Sequence, residues 1–382
     1  MHPPPLASDL RFSVRYRITI RGRQSIDELA RDITIEQTVE CPIDCIPQWI
    51  LHNGITGRVE AITPVIGTSN GFDVTISYRC DITDYSVPQL LNVMYGNISL
   101  KNSIKVLSFN FPEPFLNLFR GPSHGIDGIR KLTGVYGRPL ACAPLKPMGL
   151  SVAELAALAG SLAAGGVDLI KDDHGISNQP FHPFYERVSR CQEAIQKENA
   201  RTGLTTIYCP MVSGRFDEIE AQVQHCVKEG VRGVLIAPML VGCDTVRYLT
   251  GAYEVVAVGH PSLTGAFFHD PLHGMAPAAL LGTIFRLIGV DICVFPNTGG
   301  RFFFTREECR DLSGALQAPL GSLKRSFPCP AGGMSLEKIG ELARDYGKEA
   351  VLLFGGGLLR HSSDRAESAK VFMDRIRSAF PG

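Results

Sequence analysis

Apolar and polar positions follow two different patterns along the chain. Up to about Val135, strand-like segments alternate with possible helices in the order βαββαβ, which is typical of a small split α+β unit. The predicted strands are Phe12–Ile20, Gly57–Ile66, Phe72–Tyr78 and Ile104–Phe111. The predicted helices are Ser25–Arg31 and Val87–Tyr95. These elements predict an N-terminal α+β, ferredoxin-like domain over residues 1–137.

After Pro139 the pattern changes to strand, helix, strand, helix. Apolar strands recur at Leu140–Leu145, Val167–Ile170, Thr206–Met211, Val234–Met239, Val255–Val258, Asp291–Phe295, Ser326–Pro330 and Ala350–Phe354. Eight such units are what a (β/α)8 barrel requires. We therefore predict an α/β chain whose residues 138–382 form a (β/α)8 TIM barrel.

Residues typical of helix ends support the barrel prediction. Ser151 and Glu154 have the spacing of a capping box, in which a hydroxyl and a carboxylate satisfy backbone amides left free in the first helical turn. Ser335 is predicted to cap a later helix that Gly347 ends, because glycine adopts the left-handed conformation at low cost.

The most informative polar residues follow the second predicted barrel strand. Lys171, Asp173 and His174 come after Val167–Ile170, and barrels carry their active sites at the carboxyl ends of the strands. A Lys-Asp-Asp loop can also be no more than a solvated charge cluster. Strand alternation directs Asp172 away from its two neighbours, which favours a structural role as a hydrogen-bond acceptor.

The charge balance and the cysteines narrow the class of protein. Lysine plus arginine and aspartate plus glutamate number 38 each in 382 residues, so no net field favours nucleic acid or an anionic membrane as a partner. The first residues do not form a secretory signal and no long apolar run occurs, which predicts a cytoplasmic protein. The 11 cysteines are scattered without a Cys-x-x-Cys pair, so we expect reduced, buried thiols.

Several short motifs occur in an order that is known from one family. They are Lys146-Pro147, the run from Gly166 to Asp173, His260, Ala331-Gly332-Gly333 and Phe354-Gly355-Gly356-Gly357. This series resembles the large subunit of ribulose-bisphosphate carboxylase (RuBisCO), and more closely the RuBisCO-like proteins, a branch that does not fix carbon dioxide. The similarity runs from about Phe12 to the last helix.

The resemblance implies a metal site at the second barrel strand. In the family, the lysine at the place of Lys171 reacts with carbon dioxide to form a carbamate, which holds Mg²⁺ together with two neighbouring acids. Only a neutral amine attacks carbon dioxide, and the carbamate provides the oxygen ligands that a hard cation prefers. Asp173 matches the second ligand. His174 stands where the family usually has glutamate, and because imidazole suits softer divalent ions, its ligation and the identity of the metal stay open.

Other matched positions imply contacts with a phosphorylated substrate. Lys146 matches a lysine that contacts the developing enediolate oxygen and carries protons, and His260 matches a substrate-binding histidine. Glycines that follow the seventh and eighth strands, where barrels often bind phosphate through backbone amides, are Gly332, Gly333, Gly355 and Gly356. Such glycines can also be simple turns, and a loop histidine can be structural.

The loop after the sixth strand departs from the family pattern. RuBisCO uses a mobile lysine there to hold the incoming carbon dioxide, but this chain has no lysine from Asp291 to Leu320. Arg301 is the candidate residue of this loop for binding a phosphate or carboxylate. In the first domain, Glu40 and Asn97 match positions that reach into the active site of a neighbouring subunit, which implies a homodimer.

The resemblance implies an enzyme that forms an enolate or enediolate from a phosphorylated ketose or sugar acid with a divalent metal, Mg²⁺ in the family. We expect the reaction to end in isomerisation or decarboxylation rather than carbon dioxide fixation, and the residues do not rank the first two. The alternative is a RuBisCO-like binding or regulatory protein without catalysis. His174 favours it, as do the lysines that are missing at Met148 and from the loop after the sixth strand, whereas Lys146, Lys171, Asp173 and the glycine pair count against it.

Overall fold

A computed structural model of the chain describes residues 9–300 and 302–380. Its strands are β1 (Arg11–Thr19), β2 (Arg58–Pro64), β3 (Gly71–Arg79), β4 (Ile104–Asn110), β5 (Leu140–Leu145), β6 (Leu169–Asp172), β7 (Ile207–Cys209), β8 (Gly233–Ile236), β9 (Val256–Gly259), β10 (Gly274–Met275), β11 (Ile292–Pro296), β12 (Phe327–Ala331) and β13 (Val351–Leu353). Its α-helices are α1 (Ile26–Glu36), α2 (Gln48–His52), α3 (Val87–Tyr95), α4 (Glu113–Leu116), α5 (Gly125–Thr133), α6 (Val152–Ala164), α7 (Phe184–Thr202), α8 (Phe216–Lys228), α9 (Pro238–Val241), α10 (Cys243–Ala252), α11 (Gly265–Phe268), α12 (Phe285–Leu287), α13 (Arg306–Gln317), α14 (Ile339–Tyr346), α15 (Gly356–His361) and α16 (Arg365–Ala379).

The chain divides into two compact units. The first contains the residues up to Arg120 together with Leu263–Ile284 and Pro319–Leu323, and the second contains the rest. No sequence pattern indicated the two later segments of the first unit. A domain boundary at residue 137 stays a prediction, and α5 belongs to the second unit.

A five-stranded sheet in the order β10-β4-β1-β3-β2 forms the first unit. β1 pairs antiparallel with β3 and β4, and its alternate residues Val14, Tyr16 and Ile18 are buried. This alternation is what a sheet with one buried face requires. The predicted βαββαβ order is confirmed, and β10 adds a short fifth strand, parallel to β4, that the sequence pattern did not predict.

Parallel strands form the second unit in the order β7-β6-β5-β13-β12-β11-β9-β8. The two ends of this order meet where the Leu235 amide donates to the carbonyl of Pro210 and the Leu235 carbonyl accepts from the Val212 amide. The interior is one apolar core that includes Leu140 and Val351, as a small barrel requires. The predicted α/β barrel is confirmed.

Two local predictions are wrong. The second barrel strand does not end at Ile170 but continues to Asp172, because Lys171 and Asp172 extend the ladder with the neighbouring strands. Ser335 does not cap α14; its carbonyl instead accepts the amide of Lys338 in a turn before the helix. Gly347 ends α14 as predicted, with a φ of 61°.

The cysteines follow the prediction with two exceptions. Nine of the 11 are buried free thiols, whereas Cys41 is half-buried and Cys45 is exposed. The short 3₁₀ turn Ile43–Cys45 has no buried residue, so no core covers this segment.

Among the described helices, none has the length and apolar character needed to cross a bilayer.

Candidate active site

Lys171 lies at the end of β6 with its side chain buried. Its backbone pairs with Pro144 on β5 and Cys209 on β7, so both neighbouring strands fix its position. Only 3% of the residue is exposed, and its Nζ donates a hydrogen bond of 3.0 Å to the carbonyl oxygen of Asp172. The sequence thus places a buried amino group at the strand ends where barrels carry their chemistry.

Asp172 has the structural role that strand alternation predicted. The residue is fully buried, and its carboxylate accepts hydrogen bonds from the Tyr208 hydroxyl at 2.7 Å, the Met211 amide at 3.0 Å and the Arg187 guanidinium at 3.2 Å. Arg187 is buried too and donates to two carbonyls of the loop that follows β6. This network ties the strand that carries Lys171 to its own loop.

Asp173 lies in a field of positive charge. Its backbone amide donates to the carbonyl of Leu145 at 3.0 Å. Burial would raise the pKa of Asp173, but the His174 imidazole and the ammonium groups of Lys171 and Lys146 outweigh it and lower that pKa to about 2. Two lysines from neighbouring strands therefore stabilise the charged form of one carboxylate, which is ionised at neutral pH.

Two histidine rings from different loops stack at the same place. The ring centroids of His174 and His260 are 4.5 Å apart, and the rings are nearly parallel, at 10°. Nδ1 of His260 lies 2.7 Å from the hydroxyl of Ser262. Burial, followed by the charge of Lys171, lowers the pKa of His260 to about 3, so this ring is neutral near pH 7. Nδ1 of His174 lies 3.7 Å from Oδ1 of Asp173, and 48% of the His174 side chain is exposed.

Lys146 extends from the end of β5 to the loop after β13. A Cβ atom added to Gly355 would lie 2.8 Å from Nζ of Lys146 and 3.3 Å from its Cε. The glycine therefore leaves the space that the ammonium group occupies. This contact gives Gly355 a steric role that the sequence pattern did not predict.

Glycines allow three adjacent loops to approach each other closely. A Cβ atom on Gly333 would lie 3.0 Å from Cα of Gly300, and one on Gly357 would lie 2.6 Å from the carbonyl oxygen of Met334. Gly332 and Gly333 have φ values of +86° and +65°, which glycine adopts most readily. We name the surface formed by these loops after β11, β12 and β13 the glycine rim; its residues are Gly299, Gly300, Gly332, Gly333 and Gly357. Phosphate binding by Gly332, Gly333, Gly355 and Gly356 stays a prediction.

Three other predicted site residues belong to the first unit or lie outside the described residues. Glu40 and Asn97 are exposed residues of the first unit. Glu40 has a positive φ of 47°, and Nδ2 of Asn97 donates to the Glu36 carboxylate at 3.1 Å. Arg301 lies outside the described residues. Substrate binding by all three stays a prediction.

Sequence reasoning did not identify Arg187, Tyr208 or Ser262. Arg187 lies in α7 and Tyr208 on β7, so only the folded structure brings them to Asp172. Ser262 had a local signal, because it follows His260 by two residues and its hydroxyl is within reach of the ring.

The arrangement matches a known family. A family model described as the ribulose bisphosphate carboxylase large chain, catalytic domain, matches residues 125–376, which is more than half of the chain. The chain belongs to the RuBisCO large-chain family. Within this family, it is 38% identical to RuBisCO-like protein 1 of Rhodopseudomonas palustris over 369 residues, which cover 96% of this chain and 98% of that protein.

Two further comparisons refine the place of the chain among RuBisCO relatives. It is 36% identical to the 5-methylthioribulose-1-phosphate isomerase of Rhodospirillum rubrum, with 97% of each chain covered. The crystal structure of a RuBisCO-like protein from Rhodopseudomonas palustris superposes with a TM-score of 0.88 at 37% identity, covering 97% of this chain and 98% of that one. The chain is therefore a RuBisCO-like member of the family.

The residues around Asp173 fit a divalent ion if Lys171 contributes a ligand. No group of three His, Cys, Asp or Glu side chains in residues 9–300 and 302–380 is arranged to hold a metal. Asp173 offers an oxygen and His174 a nitrogen, and a carbamate on Lys171 would add an anionic oxygen donor. Such a mixed donor set suits Mg²⁺ less well than it suits softer divalent ions. With such a carbamate, Lys171, Asp173 and His174 would together offer three donors.

Proposed function

We propose that this RuBisCO-like chain is a metal-dependent isomerase of a phosphorylated ketose that acts through an enolate, with 5-methylthioribulose 1-phosphate as substrate. The relative that carries this activity in its name is similar over nearly its whole length. This similarity supports isomerisation over decarboxylation, which the residues alone do not rank.

The observation that carries the proposal is the grouping of four side chains at the strand ends. Lys146 and Lys171 lower the pKa of Asp173, and Lys171 also lowers that of His260. The ring of His174 stacks on that of His260 at 4.5 Å and lies 3.7 Å from the carboxylate of Asp173, so these groups are close enough to act on one small ligand. The ammonium group of Lys146, a carboxylate, a neutral imidazole and an amine that can form a carbamate are functions that enolate chemistry can use.

Isomerisation of a ketose phosphate transfers a proton between carbon atoms without gain or loss of atoms. A base removes a proton from the hydroxyl-bearing carbon beside the carbonyl group, the C–H electron pair forms a C=C bond, and the carbonyl π pair moves to oxygen. A proton then returns to the former carbonyl carbon, while the neighbouring hydroxyl group loses its proton and becomes the new carbonyl group and the first oxygen gains one. A carbamate on Lys171 can accept the proton, and neutral His260 can hydrogen-bond to the substrate. The ammonium group of Lys146 stabilises charge on the oxygen. A divalent metal, when bound, supplies further positive charge at that oxygen.

We also propose that the active site is shared in a homodimer. Glu40 and Asn97 are exposed on the first unit, and neither is close in sequence to Lys146 or Lys171. The family resemblance assigns both positions to substrate contacts across a subunit boundary. In this proposal, each site combines a barrel of one subunit with Glu40 and Asn97 of the other.

The first prediction tests the isomerase proposal at Lys171. Wild-type protein in D₂O with 5-methylthioribulose 1-phosphate, bicarbonate and Mg²⁺ or Mn²⁺ is expected to exchange a carbon-bound proton and form an isomer, as followed by ¹H NMR. Lys171→Met should reduce exchange by about 1,000-fold or more, because it removes the amine and its carbamate. Lys370→Met is the matched control, since Lys370 is an exposed residue of α16.

Each outcome of this experiment separates the alternatives. Formation of carbon dioxide from a sugar-acid phosphate, with no isomer, would replace isomerisation by decarboxylation. Absence of exchange in the wild-type protein with any divalent ion would favour the non-catalytic alternative. Full activity of Lys171→Met, with an unchanged unfolding temperature, would refute the role of Lys171.

A further inference from the structure

A lysine that sequence reasoning overlooked lies beside the glycine rim. Lys338 directly precedes α14, and its Nζ lies 3.9 Å from the position that a Cβ atom on Gly299 would take. Gly299 belongs to the loop after β11, where the chain has no lysine from Asp291 to Leu320. The loop after β12 therefore brings an ammonium group to a loop that has no lysine of its own.

Side-chain contacts hold α14 against this loop. The Tyr346 hydroxyl, at the end of α14, donates to Oδ1 of Asn297 at 2.6 Å. Asn297 is only 4% exposed, and its Nδ2 lies 3.7 Å from the sulfur of Met334. The helix that follows Lys338 and the segment that precedes it thus both contact Asn297, two residues before Gly299. These contacts fix the position of the backbone that carries the lysine.

The acidic residues nearest in sequence do not neutralise Lys338. Glu341 and Asp345 of α14 lie 3.6 Å and 2.7 Å from Arg306. Glu337 hydrogen-bonds to Ser335, which lowers the pKa of its carboxyl group. In the part of the chain that the structure describes, no carboxylate forms an ion pair with Lys338, and the lysine is half-buried. A positive charge without a carboxylate partner among the described residues therefore lies beside Gly299 of the glycine rim.

We propose that Lys338 binds the phosphate group of the substrate together with the glycine rim. Lysine recognises phosphate as a point charge, and backbone segments with left-handed glycines form concave sites that bind anions through N–H groups. This proposal rests on the proposed function, because it names the residue that binds the phosphate of that substrate.

The test measures the binding of inorganic phosphate by ³¹P NMR line broadening at low ionic strength. Lys338→Met is expected to weaken phosphate binding about 10- to 100-fold, the range for a hydrogen bond to a charged group. Lys338→Arg should retain most of the affinity, since it keeps the charge. Lys370→Met removes a lysine from the exposed surface of α16 and should bind phosphate as the wild type does.

Kinetics with the ketose phosphate give a second readout. Lys338→Met should raise KM more than it lowers kcat, because the phosphate group does not react. The unfolding temperature should stay near that of the wild type, because a half-buried lysine without a carboxylate partner contributes little to stability.

The possible results separate this proposal from the isomerase proposal. Phosphate affinity that is unchanged in Lys338→Met, or saturable phosphate binding that is absent in the wild type, would overturn the role of Lys338. Phosphate binding that depends on Lys338, in a protein that exchanges no proton of any ketose phosphate, would support Lys338 and refute the isomerase.

Discussion

At the mouth of the barrel, the position of one ammonium group depends on the absence of a methyl group. Nζ of Lys146 lies in the space that a Cβ atom on Gly355 would need. The end of a lysine side chain moves more easily than the backbone, so an added methyl group would displace the ammonium group and leave the fold intact.

The second prediction is that Gly355→Ala loses activity without losing stability. We expect kcat to fall about 100-fold, the effect of moving a catalytic group by roughly 1 Å, with the unfolding temperature nearly unchanged. Gly314→Ala in α13 is the control, because a Cβ atom there meets nothing within 4 Å. Full activity of Gly355→Ala would show that Lys146 is not needed at this position.

His260 makes the stability of the protein depend on pH. Burial and the charge of Lys171 lower the pKa of His260 from 6.5 to about 3. Between these two pH values the unfolded chain binds a proton that the folded chain does not, so the free energy of unfolding decreases as the pH falls.

The third prediction concerns this pH window in metal-free protein. We expect the free energy of unfolding to be about 2 kcal/mol lower at pH 5 than at pH 7, because each pH unit below the unfolded pKa contributes about 1.36 kcal/mol. Denaturant unfolding of His260→Asn should therefore depend less steeply on pH than that of the wild type. Equal slopes for the two proteins would mean that His260 takes up its proton in the folded state.

At the scale of elements, hydrogen bonds to the last residue of β6, Asp172, fix the end of this strand. Asp172 accepts hydrogen bonds from a helix, a strand and a loop, and both Asp172 and Arg187 are fully buried. Removal of one member of such a pair leaves the other charge buried without compensation.

The fourth prediction is that Asp172→Ala lowers the free energy of unfolding by about 3–5 kcal/mol, the cost of breaking a buried ion pair. Tyr208→Phe removes a single hydrogen bond and should cost about 1 kcal/mol. Asp217→Ala breaks an exposed pair with Arg215 and is the control, with a much smaller expected effect because solvent screens exposed pairs. Urea unfolding measures all three, and a small effect of Asp172→Ala would show that water solvates Arg187 in its place.

The barrel could be predicted from the sequence because its strands are short apolar runs that recur along the chain. Lys146, Lys171 and Asp173 could be placed at the strand ends for the same reason. The contact of Arg187 with Asp172 and the approach of Lys338 to Gly299 could not, because residues far apart in sequence form them only after folding.

At the scale of the whole molecule, the shared-site proposal predicts complementation between inactive variants. Glu40→Gln and Lys171→Met should each be nearly inactive. Refolded together, they should recover about a quarter of the wild-type activity, because half of randomly mixed dimers are mixed and each contains one intact site. Sedimentation checks that dimers form. If such mixed dimers recover no activity, Glu40 does not complete the active site of the other subunit, and the shared-site proposal is wrong.

The path of the chain also limits how the gene can be divided. Gly274 and Met275 of β10 pair with Lys105 and Val106 in the sheet of the first unit. In sequence, however, β10 lies between the barrel strands β9 and β11. A fragment that starts at residue 121 would still encode β10 and the buried Met275, but not the strand that pairs with them. Recombination that exchanges a barrel between relatives must therefore keep residues 263–284 and 319–323 with the parent that supplies the first 120 residues.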